Sequence, residues 1–337
     1  MKSINKLSVH VPVFNSEKTI ERCLNSIFSQ SYKDFDLSVY DDCSNDKTLS
    51  ILQALKSKFN FKLFKNELNL GLINNFNQIL KNIKTDYFSI FHADEEYHSD
   101  ILFKQINFLE NNQNEISAVF TNGIYDIGLY KKIIISKNTL HKNNNIYNFD
   151  EIFNIILKKF NILICSSAMF LTNDIKKIGF FKKKYGMSMD LNFWFRILEN
   201  KKIGILKDNL VTSYLTETSA SFSEYKKTEM NDFFLVIDDI IKNHYKNKLS
   251  NEQEIYYKIL KYRDYSRIVK NYFKLNEKEK VKQIFNTFDF KFIILHLFKS
   301  RKSFVIIYVY FFVYLYIKFG NRKIPNFFLN LLFKRLS

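Results

Sequence analysis

Short apolar runs alternate with stretches whose apolar residues recur every three or four positions, a pattern that predicts strand and helix in turn. Leu7–Val13 reads as a buried strand. Glu17–Gln30 reads as a helix, with Ile20, Cys23, Leu24, Ile27 and Phe28 on one face. Phe35–Tyr40 is a second strand, ending in the polar run Asp41-Asp42-Cys43-Ser44-Asn45-Asp46, where Asn45 or Asp46 suits the cap of the next helix. Phe61–Lys65 is a third strand. Leu72, Ile73, Phe76, Ile79, Leu80 and Ile83 stripe a further helix. Tyr87–Phe91 is a fourth strand that runs straight into His92-Ala93-Asp94-Glu95-Glu96, and a helical stretch follows from Asp100 to about Asn111. Strand and helix in alternation predict an α/β domain with a largely parallel sheet. Three strands end in polar or acidic residues: Asn15, Asp41/Asp42 and Asp94/Glu95/Glu96. Open parallel sheets bind ligands outside the carboxyl ends of their strands, so these groups are expected on one rim.

Beyond about Tyr225 the strand alternation stops and the sequence becomes charged and helical in texture. The chain has 337 residues, enough for one large domain and an appendage, and its 46% hydrophobic content supports a sizeable core. Its net charge of +17 suggests nucleic acid, but the distribution argues against that class. Residues 291–337 hold nine Lys or Arg and no acid, interleaved with aromatic and apolar runs. That is the composition of a segment lying on an anionic membrane surface. The unbroken apolar run Phe304–Ile317 is 14 residues long, shorter than the roughly 17 a spanning helix needs, and an interfacial helix, a re-entrant segment and a packed core helix all stay open. The cysteines Cys23, Cys43 and Cys165 form neither a CxxC pair nor a metal-binding spacing, which fits reduced thiols in the cytoplasm. The N-terminus shows no signal-peptide core.

Ser8-Val9-His10-Val11-Pro12-Val13-Phe14-Asn15, followed by Cys23-Leu24-Asn25-Ser26-Ile27 and Gln30, resembles the opening of the family 2 glycosyltransferases. Asp41-Asp42-Cys43-Ser44-Asn45-Asp46-Lys47-Thr48 is similar to that family's DDGSxDxT turn, with Cys43 where glycine is usual. Asn69-Leu70-Gly71 with Asn75-Phe76-Asn77, and Tyr87–Asp94, resemble later motifs, so the resemblance covers about residues 7–222. It implies a GT-A fold, a Rossmann-like mixed sheet flanked by helices, here with a helical C-terminal extension. The domains expected are a catalytic 1–225 (nucleotide-sugar half about 1–97, acceptor half about 98–225), a helical extension 226–290 and a basic tail 291–337.

The resemblance also implies roles. Pro12, Val13, Phe14, Asn15, Glu17, Asp41, Asp42 and Asn75 would form the nucleotide pocket. Asp42 would accept from the base N3–H, which favours uracil or thymine; for Asp41, a capping or turn-stabilising role stands beside this one. Asp94 and Glu95 occupy the place of the DxD-type motif, with His92 where an acid is common, and would hold Mn²⁺ or Mg²⁺ against the diphosphate. Gly186-Met187-Ser188-Met189-Asp190-Leu191-Asn192-Phe193-Trp194-Phe195-Arg196 resembles the EDxxLxxR segment. Asp190 would be the general base, although it suits capping the helix Leu191–Glu199 as well. Trp194 is an acceptor-side candidate for stacking on a sugar, with a core role as the alternative. Glu217 stands at the position of a metal-approaching histidine, Ser219 and Ser221 in the loop after it, and Arg196 is expected in a structural ion pair.

Together these imply an inverting glycosyltransferase that moves a sugar from a nucleoside-diphosphate donor, UDP-linked by expectation, to a glycan or lipid-linked acceptor. Bacterial surface polysaccharide, lipooligosaccharide or capsule synthesis at the inner face of the cytoplasmic membrane is the expected setting. The alternatives are an inactive scaffold of the same fold and, from charge alone, a nucleic-acid-binding protein.

Overall fold

The computed structural model describes residues 6–126, 132–135, 145–214, 226–296 and 311, with the backbone alone for 132–135, 290 and 294. The chain divides into two compact units, one of residues 1–156 and 161–216, the other of 157–160 and 217–337.

The first unit is built on a ten-stranded sheet of the described residues. Its strands are β1 (Leu7–Val13), β2 (Phe35–Asp41), β3 (Lys62–Lys65), β4 (Tyr87–Ile90), β5 (Glu95–Tyr97), β6 (Ile116–Asp126), β7 (Lys132–Ile135), β8 (Ile146–Tyr147), β9 (Met169–Leu171) and β10 (Lys202–Tyr214). The order is β3-β2-β1-β4-β9-β6-β10-β5, with β7 on β6 and β8 on β10. Strands β1 to β4 pair in parallel, as do β6 and β10. Strand β9 is antiparallel to both β4 and β6, and β5 is antiparallel to β10, so the sheet is mixed.

β1 is flanked by β2 and β4 and covered on both faces. Leu7, Val9, Val11 and Val13 are buried on one side, Ser8 and His10 on the other, which explains a near-continuous apolar run where a half-exposed strand would alternate. His10 Nε2 meets Ser8 Oγ at 2.8 Å, while its Nδ1 has no partner.

The helices of this unit are α1 (Ile20–Phe28), α2 (Thr48–Leu55), α3 (Leu72–Asn82), α4 (Ile101–Asn112), α5 (Phe149–Lys159, which runs on into the second unit), α6 (Thr172–Ile178) and α7 (Met189–Leu198). Ile20, Cys23, Leu24 and Ile27 of α1 are fully buried in the same core as Val9, Val11, Leu37, Val39 and Leu52. The chain winds β1-α1-β2-α2-β3 in one direction. Helix α3 then crosses back to place β4 on the far side of β1. Loops leaving β1 and β4 therefore part in opposite directions and open a crevice at the carboxyl end of the sheet.

The second unit is helical, with α8 (Phe233–Asn243), α9 (Asn251–Lys274), α10 (Lys278–Phe285) and α11 (Phe290–Leu295). Ser250 begins α9 with a capping box: its hydroxyl accepts from Gln253 N, and Gln253 Oε1 accepts from Ser250 N at 2.9 Å. Val269 packs on Val281 of α10, and Ile259 on Ile293 of α11. Arg267 ties the incoming chain to α9 by donating to the carbonyls of Lys227 and Glu229 while pairing with Asp264 at 2.6 Å. Phe160 stacks on Phe233 with centroids 4.3 Å apart. Among the described residues no helix is long and apolar enough to cross a membrane. Apart from Phe311, the run Phe304–Ile317 lies outside the described residues, as does the tail from 297 onward.

Candidate active site

Two turns meet where β1 and β2 end. Phe14 is 46% exposed, and Asn15 takes a left-handed φ of 50°. That turn is fastened to residues 44–48 by reciprocal bonds: Asn15 N donates to Ser44 Oγ (3.0 Å), Asn45 N to Asn15 Oδ1 (3.0 Å), Ser16 N to Thr48 Oγ1 (2.7 Å) and Lys47 N to Glu17 Oε2 (3.1 Å). Asp46 accepts from Thr48 N at 2.9 Å and from Glu17 N at 3.2 Å. Against the burial that would raise it, these bonds hold the Asp46 carboxyl below its ordinary value.

Asp42 is buried and organises the facing loop. Its Oδ1 accepts from Asn66 Nδ2 and Leu70 N, both at 2.8 Å, and its Oδ2 from Gly71 N at 2.9 Å. Gly71 has φ 78° with open space around its α-carbon, so glycine is required here by conformation and not by crowding. Three of about four acceptor positions on the Asp42 carboxylate are thus taken by protein. Asp41 is fully buried, and neither oxygen has a partner among the described residues. It lies inside the core margin and not in the open rim. Asn75 is buried beside it in sequence register, donating to Tyr40 O at 3.3 Å, with its Oδ1 unpartnered.

The acidic turn after β4 is held from below by one flank of α1. Arg22 Nη2 donates to Asp94 O (3.0 Å), Cys23 Sγ to His92 O (3.3 Å) and Gln30 Nε2 to His98 O (2.8 Å), while Ser26 Oγ accepts from Tyr97 N (3.1 Å). Arg22, Cys23, Ser26 and Gln30 are therefore fasteners of the acidic turn. The Asp94 side chain is exposed. Glu95, expected beside it as a ligand, is turned inward on β5: it is buried, accepts from Ser213 Oγ at 2.7 Å and faces the Tyr97 hydroxyl at 3.4 Å. Burial raises its pKa, against the pull of His92 and of the Ser213 bond. As placed, Glu95 could meet a cation only by giving up the Ser213 bond, so of the two expected ligands in this turn only Asp94 presents its carboxylate to solvent. Among the described residues no three His, Cys, Asp or Glu side chains form a metal cage. The donor set present fits a cation that reaches the protein through one exposed carboxylate and takes its other ligands from phosphate and water.

Asp190 lies in the first turn of α7, and Ser188, not Asp190, is the N-cap. Its Oδ1 accepts from Leu191 N at 2.6 Å. Burial pushes its pKa up to about 6, opposed by that bond and by His92. Asp190 and Glu95 both lie in the field of His92, and both add to burial in raising the Cys165 thiol. The acidic turn and the α7 carboxyl, some hundred residues apart, thus share one neighbourhood.

The segment leading to Asp190 is clamped from two sides. Asn77 of α3 donates to Phe181 O (3.0 Å) and accepts from Phe181 N (2.8 Å). Arg196 donates to the carbonyls of Ile178 (2.8 Å) and Phe180 (2.7 Å), so its guanidinium serves main-chain oxygens and not the ion pair expected of it. Trp194 is 1% exposed, stacked on Phe170 at 5.3 Å and edge-on to Phe120 and Phe193. No ring face is left for a sugar, and the acceptor-side expectation gives way to a core role. Glu217, Ser219 and Ser221 lie outside the described residues. Sequence reasoning gave no role to Ser213, Tyr214 or Arg22; the signal available was the four-residue spacing of the polar positions Arg22, Ser26 and Gln30 along α1 and just past its end.

Residues 8–179 match glycosyl transferase family 2, just over half of the chain. An uncharacterised glycosyltransferase of Methanocaldococcus jannaschii is 27% identical over 74% of this chain and 83% of its own length. A dolichyl N-acetyl-α-D-glucosaminyl phosphate 3-β-D-2,3-diacetamido-2,3-dideoxy-β-D-glucuronosyltransferase of Methanococcus voltae is 35% identical over 32% of this chain. That match spans only 33% of the relative's own length. Among solved structures, Staphylococcus aureus TarS 1–349 in complex with UDP-GlcNAc superposes with a TM-score of 0.56 at 19% identity, covering 83% of this chain and 90% of that one. The mannosyltransferase PcManGT of Pyrobaculum calidifontis, in complex with GDP-Man and Mn²⁺, gives 0.55 at 12% identity over 95% and 89%. These likenesses show the GT-A fold, and with the family match over residues 8–179 the chain belongs to glycosyl transferase family 2.

Proposed function

We propose that this chain is an inverting, metal-assisted glycosyltransferase that takes a sugar from a UDP-linked donor to a hydroxyl of a surface glycan or its lipid-linked precursor. The observation that carries this reading is that the Asp190 carboxyl, which burial pushes up to about 6, lies in the field of His92, on the same turn that exposes the Asp94 carboxylate. A base with that pKa is mostly ionised at neutral pH and still basic enough to take a proton in the transition state.

In this reading the turns at Phe14–Glu17 and 66–71 receive the nucleoside, with the remaining acceptor position of Asp42 facing the base N3–H. Asp94 would hold Mn²⁺ or Mg²⁺ on the diphosphate, where the cation supplies charge neutralisation of the leaving group. Asp190 accepts the acceptor hydroxyl proton as that oxygen attacks the anomeric carbon from the face opposite the diphosphate. The C–O bond to the diphosphate breaks as the new one forms, which inverts the anomeric centre. UDP as the nucleotide is supported by the imide-accepting carboxylate and by the UDP-GlcNAc bound to TarS. Poly(ribitol-phosphate) transferases of Staphylococcus aureus and Bacillus spizizenii among the relatives support a surface-polymer acceptor. The basic aromatic tail supports attachment to the inner, anionic leaflet of the cytoplasmic membrane.

A thermal-shift screen of UDP-, GDP- and dTDP-sugars with Mg²⁺ or Mn²⁺ tests the donor, since a ligand at 100 times its Kd stabilises by about 2.7 kcal/mol. UDP-sugars with metal should give the largest shift, and slow donor hydrolysis should accompany it. A protein that neither shifts nor hydrolyses any of them is not a working transferase.

A further inference from the structure

The acidic turn has a second attachment that no motif describes. The Arg22 guanidinium, half-buried on α1, lies 3.7 Å from the centroid of the Tyr214 ring and donates to the Asp94 carbonyl at 3.0 Å. The Tyr214 hydroxyl in turn donates to Glu96 Oε2 at 2.6 Å. Burial, reinforced by Glu96, pushes the Tyr214 phenol up to about 12, so it stays a donor at any working pH. Arg22 Nε is buried without a hydrogen-bond partner among the described residues, so the stacking on Tyr214 and the Nη2 bond to the Asp94 carbonyl are what hold this side chain. Helix α1, the turn before β5, β5 itself and the end of β10 are thereby fixed to one another within two residues of Asp94.

This matters because of what Asp94 lacks. Its side chain is exposed, and no hydrogen bond from the described residues orients its carboxylate. A carboxylate of that kind is aimed by its backbone alone. We infer that Arg22, stacked on Tyr214 and bonded to the Asp94 carbonyl, is a positioning residue that holds the Asp94 carboxylate for the diphosphate-bound cation. The inference rests on the proposed metal role of Asp94. A planar guanidinium suits the task as an ammonium does not: it stacks and donates in one fixed geometry, while a lysine keeps the charge and loses both constraints. Its charge also offsets those of Asp94 and Glu96 when a diphosphate arrives beside them.

The test is direct titration of Mn²⁺ by electron paramagnetic resonance, with UDP present, on the full chain and on Arg22→Lys, Arg22→Ala and Tyr214→Phe. Partners that orient metal ligands typically contribute 10- to 100-fold in metal affinity. Arg22→Lys should therefore weaken Mn²⁺ binding by roughly tenfold, Arg22→Ala by at least as much, and Tyr214→Phe, which keeps the ring, by less. UDP affinity without metal should be unchanged in Arg22→Lys, and its transfer rate should return at saturating Mn²⁺. A role confined to stability would lower the melting temperature and leave metal affinity alone. Wild-type affinity in Arg22→Lys overturns the inference while the transferase reading stands. Absence of UDP-dependent Mn²⁺ binding in the unaltered protein overturns the metal reading and the inference with it. If Arg22→Ala does not fold, Arg22→Lys and Tyr214→Phe decide.

Discussion

At neutral pH the Asp190 carboxyl is ionised although burial favours its neutral form. With a folded pKa near 6 and an ordinary value of 3.8, the native state holds the extra proton between those values. Stability from this group therefore falls as pH rises through that window, and the full cost, at most about 3 kcal/mol, is present above it. Asp190→Asn should accordingly raise the unfolding free energy at pH 8, by less at pH 5, and not at pH 3, in urea titrations. The same variant should lose transfer by a factor of about 10² to 10⁴ while nucleotide affinity holds, and wild-type transfer should climb with pH through about 6. Retention of near wild-type transfer would leave Asp190 a helix-terminus residue only. Cys43 offers a second test. Its φ of 61° places a β-carbon where glycine is preferred, and its thiol makes only a 3.6 Å contact with Glu67 O. Relief of left-handed strain, less the entropy glycine adds to the unfolded chain, gives Cys43→Gly a gain of about 0.5 to 1 kcal/mol, read by the same titration. A loss would mean the thiol contact outweighs the strain.

Elements were legible where a single period governed them. Leu7–Val13 appears with the ends read from sequence, because a strand buried on both faces has one uninterrupted signature. Helix α1 starts at Ile20 and not Glu17, since Ser16 to Thr19 are spent on the turn that meets residues 44–48. β5 is not expected from the sequence: three residues with two glutamates carry no strand signal, and only pairing with Val211–Ser213, more than a hundred residues on, makes them a strand. That pairing is also what turns Glu95 inward, which no local pattern in the sequence reveals. Trp194 was equivocal for a similar reason: α7 is apolar on nearly every side, and period alone does not say which side has a neighbour. The rail along α1 can be tested through Gln30, whose amide is fully buried and bonds Ser26 O, His98 O and Leu102 N. Gln30→Ala strands the last two and should cost about 1 to 3 kcal/mol, measured by urea unfolding. A neutral result would mean the 92–102 segment holds without its helix.

For the whole molecule, the charge asymmetry defines a separable property. A cut after Phe288 would strip Ile293 from Ile259 and expose the face of α9, whereas a cut after His296 leaves that contact intact and removes eight of the nine tail cations. The 1–296 chain should bind UDP as the full chain does and fail to sediment with anionic liposomes. Each cation near such a surface contributes about 1 kcal/mol, so full-length binding should weaken partly in high salt. Equal sedimentation of both chains would remove the membrane reading. Asn15, Ser16 and Glu17 are fastened to Ser44, Thr48 and Asp46, and Lys47 to Glu17. These turns are braced by hydrogen bonds among their own residues, so in the proposed reading a nucleotide arriving there meets walls already built. Its association should be fast and should release heat without the large negative heat-capacity change that accompanies folding around a guest.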